Sequence, residues 1–156
     1  MPKNYLAIDY GERRTGIAFA SDSVGIAFPR ETIDRKQKDL WAELERLVKE
    51  NAVTDFVLGM PIHPNNHPDS KQKTVEAFAE ELKQKFPQIN VHTQDESYST
   101  QDAETALVGA HPRGRPYNAN GQPHNANGRH GRRPNKSKID KAAATIILQR
   151  FIEGNF

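Results

Sequence analysis

The sequence predicts an α/β domain on a five-stranded mixed sheet, its first three strands antiparallel and its last two parallel. Three observations carry this. Short apolar runs at 5–8, 17–20 and 25–33 follow one another across brief polar turns, as in a meander. Two more runs, 54–61 and 90–94, are each preceded by a stretch of helical spacing, as crossover-linked strands require. A final stretch, 137–153, keeps its apolar residues on one helical face. With 156 residues the chain is the size of one domain, read as 1–156, and can bury a core.

Each element has a local reason. Residues 5–8 form a buried strand with Asp9 at its C-terminal end, and Gly11 and Gly16 bracket the polar turn of a hairpin. A carboxylate there needs a metal, a cationic partner or water; equally, an Asp before a turn glycine accepts backbone N–H bonds. After the third strand Asp34 is expected to cap a helix over 35–51, with Leu40, Trp41, Leu44, Leu47 and Val48 as its core stripe. Pro61 ends the fourth strand, a polar loop spans 62–68, and Val75, Phe78, Ala79, Leu82 and Phe86 mark a second helix stopped by Pro87. The fifth strand, with His92 as a surface or packing residue, ends in Asp95 and Glu96. Ser99 or Thr100 then caps a short helix reaching about 108.

Composition bounds the function. The chain lacks cysteine, which removes disulfides and thiolate–metal sites and fits a reducing compartment. No apolar run reaches the roughly 20 residues of a bilayer crossing, and Met1-Pro2-Lys3-Asn4 leads straight into the first strand without a signal peptide. A soluble, cytoplasmic domain with no membrane partner is expected. The net charge of +2 conceals an asymmetry. Residues 109–138, rich in Gly, Pro and Asn, hold seven cations (Arg113, Arg115, Arg129, Arg132, Arg133, Lys136 and Lys138) and no acid; the remainder carries a net −5. A basic insertion on an acidic body points to nucleic acid, its cations meeting backbone phosphates.

Three carboxylates are placed to converge. Asp9 and the Asp95-Glu96 pair end strands, at the edge where sheets of this kind bind ligands. Asp140, with Ala143, Ala144, Ile147 and Phe151 at i+3, i+4, i+7 and i+11, heads the apolar face of the last helix. Asp95 and Glu96 point to opposite faces of a continuing strand, so only one of them joins. Carboxylates brought together repel unless a cation sits among them. All-oxygen ligands suit Mg²⁺ or Mn²⁺, which activate water in phosphodiester hydrolysis.

These residues resemble a known family. Asp9-x-Gly11-x-x-Arg14-x-Gly16-Ile17-Ala18, Leu58-Gly59-Met60-Pro61, Asp95-Glu96-Ser97-Tyr98-Ser99-Thr100, and Ile139-Asp140 with the Ala-rich run to Gln149 are similar, in order, to four motifs of the YqgF family. That family is associated with pre-16S rRNA maturation and Holliday-junction resolution, within the RNase H-like superfamily. The resemblance covers the chain except 109–135. It implies an RNase H-like fold, a hydrolase acting on ester bonds, metal-binding catalytic carboxylates at Asp9, Glu96 and Asp140, and Arg14 as a phosphate contact. Two departures stand out: Ser97 replaces a common Arg, and Ala143 stands where related resolvases carry a second helix carboxylate.

The expected function is a metal-dependent nuclease, foremost in 5′-end processing of pre-16S rRNA and so in ribosome biogenesis. The alternatives are a Holliday junction resolvase-like DNA endonuclease and a non-catalytic nucleic-acid-binding factor. Asp9-Tyr10-Gly11 also resembles the first phosphate loop of actin-like ATPases, but those enclose ATP between two such domains. Every strong apolar stripe is assigned to one core, so a monomer acting on structured RNA is expected over an obligate dimer acting on a DNA junction.

Overall fold

Tyr5, Leu6, Ala7 and Ile8 are buried on both faces, and such a run belongs at the centre of a sheet. The computed structural model, which describes residues 2–61, 70–96 and 136–155 (side chains 141–154 in the last segment), puts them there. Strand β1 (Asn4–Asp9) pairs antiparallel with β2 (Arg14–Ser21), which pairs antiparallel with β3 (Phe28–Asp34). On its other side β1 pairs parallel with β4 (Asp55–Met60), and β4 with β5 (Asn90–Asp95). The order β3-β2-β1-β4-β5 is the mixed sheet that the sequence predicts, three strands antiparallel and two parallel.

Alternation divides the sheet into two packed faces. Leu6, Ile8, Ile17, Ile33, Phe56 and Leu58 face helices α1 (Leu40–Asn51) and α2 (Ser70–Lys85), which supply Leu40, Leu44, Leu47, Val75, Phe78 and Leu82. Each fully buried leucine contributes about 1.5–3 kcal/mol. Tyr5, Ala7, Ala18, Ala20 and Val57 face α3 (Lys136–Asn155), packing on Ala144, Ile147, Leu148, Phe151 and Ile152. The second face is floored largely by alanine, so α3 lies close to the strands. Among the described residues no helix is long and apolar enough to cross a membrane.

Some boundaries differ from expectation. Gly25 takes φ +70 and residues 25–27 precede β3 rather than beginning it; Ala27 N–H instead donates to Gln149 Oε1 at 2.9 Å. Asp34 does not cap α1. It ends β3, its carbonyl accepts from Gln37 and Lys38 in a turn, and Asp39 caps the helix through Trp41 N–H at 3.2 Å. Residues 35–38 are polar and exposed, with no apolar side chain to hold them helical against the core. Val24, Ile26 and Phe28 are about half exposed, so not every apolar residue serves the core. The loop at 62–68 and the short helix near 100–108 lie outside the described residues.

At the N-terminal end of the parallel strands Asp55 is buried. His92 Nε2 (2.8 Å), Thr54 Oγ1 (2.6 Å) and Asn90 Nδ2 (3.2 Å) surround its carboxylate, which gives His92 a definite structural partner. Burial pushes the carboxyl pKa up, but the hydrogen bonds from Thr54, His92 and Asn90 together hold it below its ordinary value. A depressed folded-state pKa stabilises the fold above the unfolded value, about 3.9, and that stability is lost as pH falls through the folded value. Urea denaturation below about pH 4 should therefore show a loss of stability that Asp55→Asn flattens; parallel profiles for variant and parent would reject this.

Candidate active site

The opposite, C-terminal edge of the parallel strands carries the predicted acids. Asp9 follows Tyr5 and Ala7 on the face that packs under α3 and is half-buried. The β1–β4 register, ending at Ile8 with Leu58, continues to bring Asp9 alongside Gly59. On the far side of β4, Glu96 extends the pairing one residue past β5, donating its N–H to Met60 O at 3.1 Å. Asp9 and Glu96 thus stand about two strand spacings apart, near 10 Å between backbones.

Gly59 decides where the Glu96 carboxylate sits. A Cβ on Gly59 would meet Ile147 Cδ1 at 2.6 Å and Glu96 Oε2 at 2.7 Å. The carboxylate therefore folds back over β4 into the space that a side chain would fill, on the α3 side and toward β1. Its side chain is only 7% exposed. Asp95 falls on the other face with Val91, which packs in the α1/α2 core, so the two neighbouring acids divide as their spacing predicts.

The direction of α3 places Asp140. Phe151 packs edge-on against Tyr5, near the start of β1, at 5.7 Å, whereas Ile147 one turn earlier reaches Gly59, near the end of β4. The helix therefore runs antiparallel to β1 and β4, and its N-terminal turns extend toward the acidic edge. Asp140, its fifth residue, lies on the stripe of Ala144 and Ile147, about 10 Å before Ile147 along the axis. Its side chain is outside the described residues, as are those of Lys136 and Lys138; Ser97, Arg113, Arg115, Arg129, Arg132 and Arg133 lie outside them altogether. Among the described residues no three His, Cys, Asp or Glu side chains are grouped to hold a metal.

Arg14 opens β2 on the side shared by Gly16 and Ala18, two residues beyond the Gly16 that pairs with Asp9. It stands on the face and at the edge where Asp9 lies. The loop between them is tightly held. A Cβ on Gly11 would run into the Arg14 carbonyl, so the turn requires glycine there. Arg35 Nη1 donates to Tyr10 Oη (3.0 Å), Gly11 O (3.3 Å) and Glu12 O (3.2 Å), and Tyr10 stacks on Phe78 of α2 at 4.1 Å.

Two residues here escaped sequence reasoning. Arg35 was expected in a helix, and nothing in its spacing marks it as a loop anchor. Lys71, in the first turn of α2, brings Nζ to 3.6 Å from Glu96 Oε1. It supplies a cation beside Glu96, and only its place before the apolar stripe of α2 hints at it.

Gly59→Ala should cost about 1–3 kcal/mol of unfolding free energy, the range of core overpacking, and should displace the Glu96 carboxylate in a crystal structure of the variant. Parental stability with Glu96 unmoved would mean that α3 stands further from β4 than described.

The chain was compared with known proteins. The chain is 31% identical to a protein of Fusobacterium nucleatum over 152 residues, covering 97% of each chain. It is 30% identical to one of Opitutus terrae over 154 residues, covering 97% of this chain and 92% of that one. Both carry the name "Putative pre-16S rRNA nuclease". Among solved structures, T. thermophilus RuvC in complex with a Holliday junction substrate aligns over 97% of this chain and 94% of its own, at 11% identity and a TM-score of 0.49. A family model described as "RuvX: Holliday junction resolvase" matches residues 3–154, and the chain belongs to that family.

Proposed function

We propose that the chain is a divalent-metal-dependent nuclease, a hydrolase of phosphodiester bonds, that processes the 5′ end of pre-16S rRNA. The observation that carries this is the Glu96 carboxylate, buried and seated over Gly59 on the face and edge that Asp9 occupies. An acid desolvated at the mouth of a sheet, with a second acid two strands away, fits a cation site better than a purely structural role. In this reading Asp140 completes the set from the N-terminal turns of α3. The donors are all carboxylate oxygens, which fit Mg²⁺ or Mn²⁺. Such an ion, when bound, would lower the pKa of a water nucleophile and stabilise the leaving oxygen. The chain's own residues orient the strand: Arg14 meets a phosphate beside Asp9, and the seven cations of 109–138 grip the backbone further out.

The names of the curated relatives favour rRNA, whereas the family description favours DNA junctions. The seven unopposed cations bind phosphates in either substrate and do not choose between them. Val24, Ile26 and Phe28 give the junction reading one observation of its own, because they offer exposed apolar surface for the dimer that paired incisions need. Our reading is a cytoplasmic monomer acting on structured RNA. Purified protein with Mn²⁺ and labelled precursor rRNA, duplex DNA and four-way junctions decides the matter. Cleavage of the RNA is expected; paired junction incisions by a stable dimer, with precursor rRNA uncut, would reverse the ranking. Binding without any cut would make the chain a non-catalytic factor.

Asp9→Asn, Glu96→Gln and Asp140→Asn should each lower cleavage by ~10²-fold or more, with circular dichroism and thermal unfolding showing an intact fold. Parental cleavage by Asp9→Asn would reduce Asp9 to a turn residue.

Shortening 109–138 should remove most of the salt dependence of binding. Seven phosphate contacts set an upper bound of about −5 on the slope of log affinity against log salt for single strands. A shortened chain with the parental slope would exclude the segment as the nucleic-acid contact.

A further inference from the structure

Lys71 and Glu96 form an unequal pair. The lysine side chain is 59% exposed and the glutamate 7%, with 3.6 Å between Nζ and Oε1. The carboxylate cannot follow its partner, because its other oxygen is packed against Gly59 and beside Ile147. The ammonium, on a long exposed stem, moves at little cost. A cleft of about 190 Å³ opens next to it between the β1–β2 loop and α2, lined by Tyr10, Gly11, Glu12, Thr74, Val75 and Lys71 itself. One wall is rigid: Tyr10 is clamped between Phe78 and the Arg35 guanidinium, 5.2 Å from its ring. Lys71 therefore stands between a fixed acid and an open cleft at the same edge.

We propose that Lys71 is a resident counter-ion of Glu96 that an arriving divalent cation displaces, and that the freed ammonium turns into the cleft onto a phosphate of the bound nucleic-acid strand. The inference rests on the reading of Glu96 as a metal-holding carboxylate and adds a residue outside the four motifs of the sequence. Its physical basis is competition. A divalent ion and an ammonium repel each other at one carboxylate, and the ion, with the larger charge, holds the position. A lysine released beside a polyanion exchanges a carboxylate for a phosphate. Lys71 therefore opposes metal binding in the free protein and supports strand binding once metal is present. It is a positioning residue, coupling the two ligands.

The test uses the full chain with Lys71→Gln, Lys71→Arg and Glu96→Gln. Titration calorimetry with Mn²⁺ alone should show Lys71→Gln binding the ion about 2- to 5-fold more tightly than the parent, the worth of an exposed ion pair. Binding of a single-stranded oligonucleotide, with Ca²⁺ replacing Mn²⁺ to spare the strand, should lose about 0.7 from its salt slope in Lys71→Gln. Lys71→Arg should restore it. Without divalent ions parent and Lys71→Gln should share one slope, since Lys71 then stays on Glu96. Equal or weaker Mn²⁺ affinity in Lys71→Gln would overturn the proposal, as would a slope difference that ignores the divalent ion. If the parent binds Mn²⁺ and Glu96→Gln does not, a failure of the Lys71 results condemns this inference alone. If the parent binds no Mn²⁺, the reading of Glu96 fails with it.

Discussion

The close approach of α3 to the sheet is the constraint from which the rest follows. It is possible because Ala7, Ala18 and Ala20 floor that face and Ala144 meets them from the helix. At Gly59 even a methyl group finds no room. That contact aligns three things at once. It sets the height of α3 over β4, aims its first turns past the C-terminal edge, and leaves the space into which Glu96 folds. A bulkier floor would lift the helix away from β4.

The two ends of the sheet treat a buried carboxylate differently. Asp55 is enclosed by Thr54, Asn90 and His92, so its carboxylate is hydrogen-bonded within the fold. Glu96 is nearly as buried, but its cation comes from a mostly exposed lysine. Both sites lie on the α3 face, at opposite ends of the same strands.

The loop joining β1 and β2 is held from outside the sheet. Arg35 caps its carbonyls while Tyr10 packs on Phe78, so the loop beside Asp9 is tied to α2, the helix that carries Lys71. This tie links the β1 acid to the cation of the β5 acid without passing through the sheet.

The strands and helices of the described residues, the two-faced pattern and the place of Asp9 and Glu96 at strand ends could be read from the chain, because apolar periodicity and the ends of apolar runs are local signals. The stripe from Asp140 to Phe151 and the opposed directions of Asp95 and Glu96 follow from helical and strand geometry alone. The true start of α1 was misread because Asp34 and Asp39 are chemically equivalent caps, and only the register of β3 and the lack of an apolar side chain at 35–38 separate them. Lys71 beside Glu96, Arg35 on the β1–β2 loop and His92 on Asp55 were invisible, because each joins residues more than 20 positions apart through side chains of no distinctive spacing. Such contacts exist only once helices and strands are packed: the chain names the acids, and the packing selects their partners.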